Sequence, residues 1–247
     1  MLTDERLNRI VSIIEDKHSV TVQELMKTLD ASESTIRRDL NSLDAEKKIK
    51  RVFGGAVAVD VVFHSKDDSV LIRKQQNIED KMKIAQYAAS IIQPDDFVYL
   101  DAGTTTELMI DFITDKSITF VTNGFSLAKK LSQAGFLTYM PGGEVKYPTE
   151  AIVGEEAVES LSKYNFTIGF WGTNGIDLNN GFSTPDVKEA LIKKASMKRT
   201  ERRYIVSDSS KFSELSCVNF CSFDNAVVIT TNLKDKKYKQ CKNITEV

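Results

Sequence analysis

Leu7, Ile10, Val11 and Ile14 stand at i, i+3, i+4 and i+7, the spacing that lines one face of an α-helix with apolar side chains. The same spacing returns at Val22, Leu25, Met26 and Leu29. Ahead of this second run, Thr21-x-x-Glu24 reads as a capping box, in which hydroxyl and carboxylate each satisfy a backbone N–H at the helix start. The pattern stops near Asp30. Ser32 is a residue type that caps helices, and Ile36, Leu40 and Leu43 mark the inward stripe of a third. Three short amphipathic helices in close succession predict a helix-turn-helix.

Successive residues of a helix step by about 100° around its axis. In the third helix this sets Ser34, Arg38, Asn41 and Ala45 opposite the apolar stripe, with Thr35, Arg37 and Ser42 on the flanks. That outward face suits a major groove: arginine makes paired bonds to guanine, asparagine to adenine, and hydroxyls near a helix start suit phosphate oxygens. Asp39 falls nearer the buried side and is expected to pair with a neighbouring arginine rather than to read a base. Lys47, Lys48, Lys50 and Arg51 follow without an intervening acid, and Gly54-Gly55 between short apolar runs predicts a hairpin, the wing. The candidate DNA contacts are Ser32, Ser34, Thr35, Arg37, Arg38, Asn41, Lys50 and Arg51. Periodicity alone serves equally well for helices with an ordinary solvated basic surface.

The stretch Ser32-Glu-Ser-Thr-Ile-Arg-Arg-Asp-Leu40, with Arg6-x-x-x-Ile10-x-x-x-Ile14 before it and Lys50-Arg-Val-Phe-Gly-Gly-Ala56 after it, resembles the signature of the DeoR family of bacterial regulators. The family often has glycine where Lys47 stands.

Residues 59–76 show no sustained helical or strand period and carry the mixed-charge run Ser65-Lys-Asp-Asp-Ser69, so they read as a connection between a DNA-binding domain at 1–58 and a larger domain at 77–247. From Ile78 onward, helix and strand patterns alternate. A helix over 78–93 leads to the strand Phe97-Val-Tyr-Leu100, a helix follows Thr104, and the strand Ile118-Thr-Phe-Val121 leads to a helix over 125–134. Apolar runs at 137–140, 166–171, 204–206 and 226–230 extend the series. Such alternation predicts α/β architecture with a mostly parallel sheet.

In such a sheet, ligands bind beyond the C-terminal strand ends. After Leu100, Asp101-Ala-Gly-Thr-Thr-Thr106 joins a glycine to three hydroxyls at a helix start, a combination able to hold a phosphate; a single capping threonine is the plainer reading. Candidate effector contacts there are Asp101, Gly103, Thr104, Thr105 and Thr106. Other strand ends offer Thr122 and Asn123, Gly142 and Gly143, Gly172 and Asn174, and Asp208, while Lys146, Lys193 and Lys211 offer charge for a phosphate. Taken singly, each of these loops is an ordinary turn. Trp171 is expected in the core rather than under a ligand.

The 247-residue length accommodates both domains, and a net charge of −2 conceals the local basic patch. No apolar run reaches membrane-span length and Met1-Leu-Thr-Asp-Glu-Arg6 is too charged for a secretory signal, so a cytoplasmic location without membrane contact is expected. Cys217, Cys221 and Cys241 form no C-x-x-C pair and only His18 and His64 stand by to assist, so the cysteines read as structural and neither metal nor cofactor is expected.

Asp101–Thr106, Val121-Thr-Asn-Gly124, Pro185–Lys193 and Asp208–Phe212 resemble the effector domain of the same family. That resemblance implies a fold related to ribose-phosphate isomerases, a phosphorylated sugar as effector, and double-stranded operator DNA as partner. Within the family, Met1-Leu-Thr, Asp30-Ala-Ser-Glu-Ser34, Gly143-Glu-Val-Lys146 and Gly172-Thr-Asn-Gly175 are most similar to fructose-operon repressors, whose expected effector is fructose-1-phosphate. Many relatives carry arginine where Lys146 stands. The expectation is a repressor, not an enzyme, that acts as a homo-oligomer, dimer or tetramer, because helix-turn-helix proteins read paired half-sites. Two other readings remain open at this point: a sugar-phosphate isomerase tethered to DNA, with Asp101 or Asp208 as base, and a DNA-binding protein whose second domain only assembles the oligomer.

Overall fold

The structure, a computed structural model, describes every residue except Met1, His18, Phe53, Asp60, Val61 and Ser65–Asp68, and describes only the backbone of Val62–His64. The charged run at 65–68, His18 as a possible ligand, and Met1 and Phe53 of the quoted motifs therefore lie outside the described residues, as does the side chain of His64.

The first unit contains α1 (Thr3–Lys17), β1 (Ser19–Thr21), α2 (Val22–Leu29), α3 (Glu33–Ala45), β2 (Lys50–Val52) and β3 (Gly55–Val57). Its capping chemistry is as the sequence predicts. The Thr21 hydroxyl accepts from Glu24 N at 3.1 Å while Glu24 Oε2 accepts from Thr21 N at 2.9 Å, and Ser32 Oγ accepts from Thr35 N at 3.3 Å. Ile10, Ile14, Leu25, Leu29, Ile36, Leu40 and Leu43 are buried together, which is why helical spacing in the sequence was diagnostic. β3 lies between β1 and β2, antiparallel to both, and Gly54 takes the left-handed φ of +82° that the β2–β3 turn requires. α3 ends with Lys47 also left-handed, at φ +57°, and with Lys48 N bonded to Leu43 O at 3.0 Å.

The connecting stretch has more structure than its lack of period predicts. It includes β4 (Val62–His64) and α4 (Val70–Gln75), too short to show a repeat, with Ser69 as N-cap. The second unit runs α5 (Ile78–Ser90), β5 (Phe97–Leu100), α6 (Thr104–Met109), β6 (Thr119–Thr122), α7 (Phe125–Gln133), β7 (Leu137–Tyr139), β8 (Glu144–Lys146), β9 (Ala151–Val153), α8 (Glu155–Ser162), β10 (Phe166–Trp171), β11 (Gly175–Asp177), β12 (Gly181–Thr184), α9 (Val187–Lys198), β13 (Thr200–Val206), β14 (Glu214–Ser216), β15 (Val218–Cys221), β16 (Val227–Thr230) and β17 (Ile244–Glu246).

Seven strands form one sheet in the order β17-β16-β13-β10-β5-β6-β7, and every pairing is parallel. Alternation along each strand sends Val98, Leu100, Phe120, Ile168 and Phe170 to the face covered by α5, α6 and α7, and Tyr99, Val121, Trp171 and Ile205 to the face covered by α8 and α9. Trp171 is fully buried and donates from Nε1 to Ser196 Oγ at 2.9 Å, a core position. The chain runs outward from β5 through β6 and β7, then returns to β10 on the other side of β5. The gap between β5 and β10 is thus the topological switch point, where a parallel sheet leaves a crevice beyond its strand ends.

Candidate functional site

The loops leaving β5 and β10 meet at that switch point. Asp101 N donates to Phe170 O at 3.0 Å, and Gly172 N donates to Asp101 Oδ2 at 3.3 Å, so the two strand ends are tied together by Asp101 itself. Lys193, just past the middle of α9, donates to the same carboxylate and to Gly172 O at 3.1 Å. Burial pushes the Asp101 carboxyl above its ordinary range against the pull of Lys193. The pair forms the floor of the crevice.

Above it, Gly103, Thr104, Thr105, Thr106, Gly172, Asn174, Lys193, Asp208 and Lys211 line one cavity. Thr106 donates to Asp101 O at 2.7 Å and to Gly103 O at 2.9 Å, so its hydroxyl braces the loop. Asp208 caps the single 3-10 turn at Ser209–Lys211 by accepting from Ser210 N at 3.0 Å, and it also accepts from Asn77 Nδ2 at 3.0 Å.

The remaining candidates from sequence do not reach this cavity. Thr122 is buried and accepts from Gly124 N at 3.0 Å. Asn123 accepts from Ala102 N and the Tyr99 hydroxyl and donates to Ile152 O, a buried bracket between three segments. Gly142 and Gly143 follow β7, an edge strand two places from the switch point, and Gly143 packs under Val153 and Ala157. Lys146 is held by Glu189 at 2.9 Å and Asp186 at 3.1 Å. Polar turn residues after strands look alike in sequence; strand order decides which of them converge.

The sequence reading missed several cavity residues. Thr149 and Glu189 stand opposite the Gly103 loop, with Thr149 Oγ1 donating to Glu189 Oε1 at 2.6 Å. Burial opposes the Glu189 charge, but Lys193, Thr149 and Lys146 outweigh it and hold the carboxyl below its ordinary range. The α4–α5 corner supplies Arg73, Gln76, Asn77 and Lys81, which the sequence placed in a connection and a helix without assigning them chemistry.

In the first unit, Ser34, Arg37, Arg38, Asn41 and Lys50 are exposed and Thr35 half-buried on the outer side of α3 and the wing. Ser32 binds both the Ser34 and the Thr35 hydroxyls, Arg37 pairs with Glu33 at 2.7 Å, and Arg51 donates to Asn41, fastening wing to helix. Asp39 is buried and takes a forked pair of bonds from Arg6, at 2.6 and 3.2 Å, so its partner is an arginine of α1, 33 residues away in the chain, and not a neighbour in sequence. Among the described residues no cluster of His, Cys, Asp and Glu has the arrangement of a metal site, and no helix is long and apolar enough to cross a membrane.

Comparison with known proteins adds to this geometry. Residues 6–62 match the model of a DeoR-like helix-turn-helix domain, and residues 76–232 match that of a DeoR C-terminal sensor domain. The chain is 40% identical over its full length, and over 98% of the relative, to a protein of Bacillus subtilis described as an uncharacterized HTH-type transcriptional regulator FruR. It is 34% identical over 94% of its length to the HTH-type transcriptional regulator GlpR of Haloferax volcanii, covering 91% of that protein. It is 30% identical over its full length to the lactose phosphotransferase system repressor of Streptococcus mutans, covering 99% of it. Among solved structures, a ribose 5-phosphate isomerase A from Methanocaldococcus jannaschii aligns over 56% of this chain and 55% of its own at 15% identity, with a TM-score of 0.41.

Proposed function

The chain belongs to the DeoR family of transcriptional regulators, and from that membership we propose that it represses an operon of sugar catabolism by binding operator DNA through α3 and the wing, and is released by a phosphorylated sugar. Arg38 and Asn41 read base edges, Ser34, Thr35, Arg37, Lys50 and Arg51 position the helix on the phosphates, and Ser32 shapes the helix start that carries them. Two chains act together on paired half-sites.

The observation that carries the effector reading is the convergence of the Gly103–Thr106, Gly172–Asn174 and Asp208–Lys211 loops on one polar cavity at the switch point of a parallel sheet. Free N–H groups at the start of α6 suit an anion, and the surrounding hydroxyls and amides suit a polyol. Relatives named as sugar-system regulators support sugar phosphate as the class, and the FruR-named relative supports fructose-1-phosphate as the first compound to try. A ligand switches the protein only if it binds the DNA-free arrangement more tightly than the DNA-bound one.

The test is fluorescence anisotropy of a labelled operator fragment titrated with the full-length chain, repeated with fructose-1-phosphate, other hexose and triose phosphates, and unphosphorylated fructose. Release by a phosphorylated sugar and not by fructose is expected. No release by any of them overturns the reading, and steady conversion of a sugar phosphate to an isomer would transfer the site to catalysis.

A further inference from the structure

The turn between β11 and β12 reaches from the second unit to the first. Asn180 Nδ2 donates to Lys17 O at 3.1 Å, and Asn179 Nδ2 to Asp16 O at 3.4 Å. Both carbonyls belong to the last turn of α1, where the helix itself supplies no donor. Asn180 Oδ1 also accepts from the hydroxyl of Ser19, the first residue of β1, at 2.6 Å. A helix of the first unit is thus capped by side chains of the second. Buried Asp177 prepares the cap, since its Oδ1 accepts from Asn179 N at 3.0 Å, Asn180 N at 2.8 Å and Asn180 Nδ2 at 2.7 Å.

The other end of the same hairpin stands at the switch-point cavity. Gly172 and Thr173, which lead into β11, line it, and Thr184, the last residue of β12, donates to Glu189 of its lining at 3.4 Å. Strands of this length span only about 10 Å, so the hairpin is a short hydrogen-bonded strut with its roots at the cavity and its tip on α1. It is also stitched to β14, which carries Leu215 into the core of the first unit: Ser213 N donates to Ile176 O at 2.8 Å and Ser216 N to Ser183 Oγ at 2.9 Å. A Cβ at Gly175 would run into Glu214 O, so glycine is what lets β11 lie this close to β14. Movement at the roots therefore reaches both contacts with the first unit.

We propose that the β11–β12 hairpin is a latch: with its tip on α1 it holds the first unit in the operator-binding arrangement, and a ligand at its roots favours the arrangement in which the cap is broken. The latched form is assigned to DNA binding because it leaves Arg38, Asn41 and Lys50 exposed while fixing the first unit to the second, and paired half-sites require two reading helices at a set separation. The inference rests on the repressor reading for the operator and the ligand, but not for the cap.

The test compares the full-length wild type with Asn180→Ala, which removes the bonds to Lys17 and Ser19, and Ser19→Ala, which removes one of them from the opposite side. Hydrogen–deuterium exchange without ligand or DNA should accelerate in the last turn of α1 in both variants and stay unchanged in β5 and β10. Unchanged exchange in α1, or equal acceleration in β5 and β10, overturns the cap. Anisotropy of a labelled operator, titrated with fructose-1-phosphate, then tests the switch. A latch that is mostly closed without ligand predicts operator affinity within about threefold of wild type, but half-release at about fivefold less fructose-1-phosphate in Ser19→Ala and at least about tenfold less in Asn180→Ala. A contact that only supports the fold gives the reverse, weaker operator binding with the releasing concentration unchanged. That result, or release that needs more fructose-1-phosphate, overturns the latch. If fructose-1-phosphate does not release the operator from the wild type, that failure belongs to the sugar reading, and the latch stands or falls on the exchange measurement.

Discussion

Ser19, at the start of β1 in the DNA-binding unit, donates its hydroxyl to Asn180 Oδ1 of the sensor unit at 2.6 Å. Asn180 in turn donates to Lys17 O at 3.1 Å, and Asp177 fixes it by accepting from its backbone N and its amide. Close by, Leu215 of β14 is buried in the apolar core of the DNA-binding unit, and β14 pairs in parallel with β4. β14 begins three residues after Lys211 of the switch-point cavity, so the cavity wall and the core of the first unit share one short length of backbone.

That continuity makes Leu215→Ala informative. Truncating a buried leucine costs about 2–5 kcal/mol through lost transfer energy and the cavity left behind. Urea unfolding should show this loss, with the first unit melting before the second. A single unchanged transition would mean that Leu215 does not support the DNA-binding core.

Arg38 is exposed on α3 and has no partner among the described residues. Arg38→Ala should therefore cost little stability but about 1–3 kcal/mol of operator binding if the guanidinium reads a base. Anisotropy on operator and scrambled duplexes decides the role: equal weakening on both assigns Arg38 to phosphate.

Thr105 lines the cavity next to Gly103. Thr105→Ala should raise the sugar-phosphate concentration needed for half-release while leaving operator affinity in the absence of ligand within about twofold, since removing one neutral hydrogen bond costs about 1 kcal/mol at the site concerned. Unchanged release would exclude this threonine from the contact.

Asp96 governs part of the acid response. It accepts from Thr167 Oγ1 at 2.6 Å, Gln93 N at 2.8 Å and Arg202 at 2.8 Å; burial opposes its charge, but these bonds hold the carboxyl below its ordinary range. A carboxyl depressed in the folded state contributes stability that is present above the unfolded value of about 3.9 and is lost as pH falls through the folded one. The melting temperature should fall below about pH 4, with a shallower slope in Asp96→Asn. Parallel slopes would remove Asp96 from the account.

Lys47 ends α3 at φ +57°, the position where the Schellman closure favours glycine. Lys47→Gly relieves a left-handed strain of about 1–2 kcal/mol at a cost of up to about 1 kcal/mol in unfolded-chain entropy, so a net gain between zero and about 2 kcal/mol is expected from denaturant unfolding. A loss of stability would show that the lysine side chain makes a compensating contact.

The reach of sequence in this protein follows the range of the forces involved. Helix faces, the Thr21–Glu24 box, the Ser32 cap, the burial of Asp39 and the strand alternation around Val98 and Phe120 are set within a few residues of each other or by burial on one face, so residue order determined them. The short elements β4 and α4 escaped because three and six residues are too few to display a period. The switch-point cavity depended on strand order: only the placement of β10 beside β5 decided that Gly172 and Asn174 join Gly103, while Asn123, Gly143 and Lys146 serve as packing and ion-pair residues outside its lining. Arg73 and Lys81 became cavity residues only when α4 folded against α6, and Leu215 joined the first core from far along the chain. Long-range burial made those choices, because contacts between distant segments are selected by the packing of the whole chain and leave no local pattern.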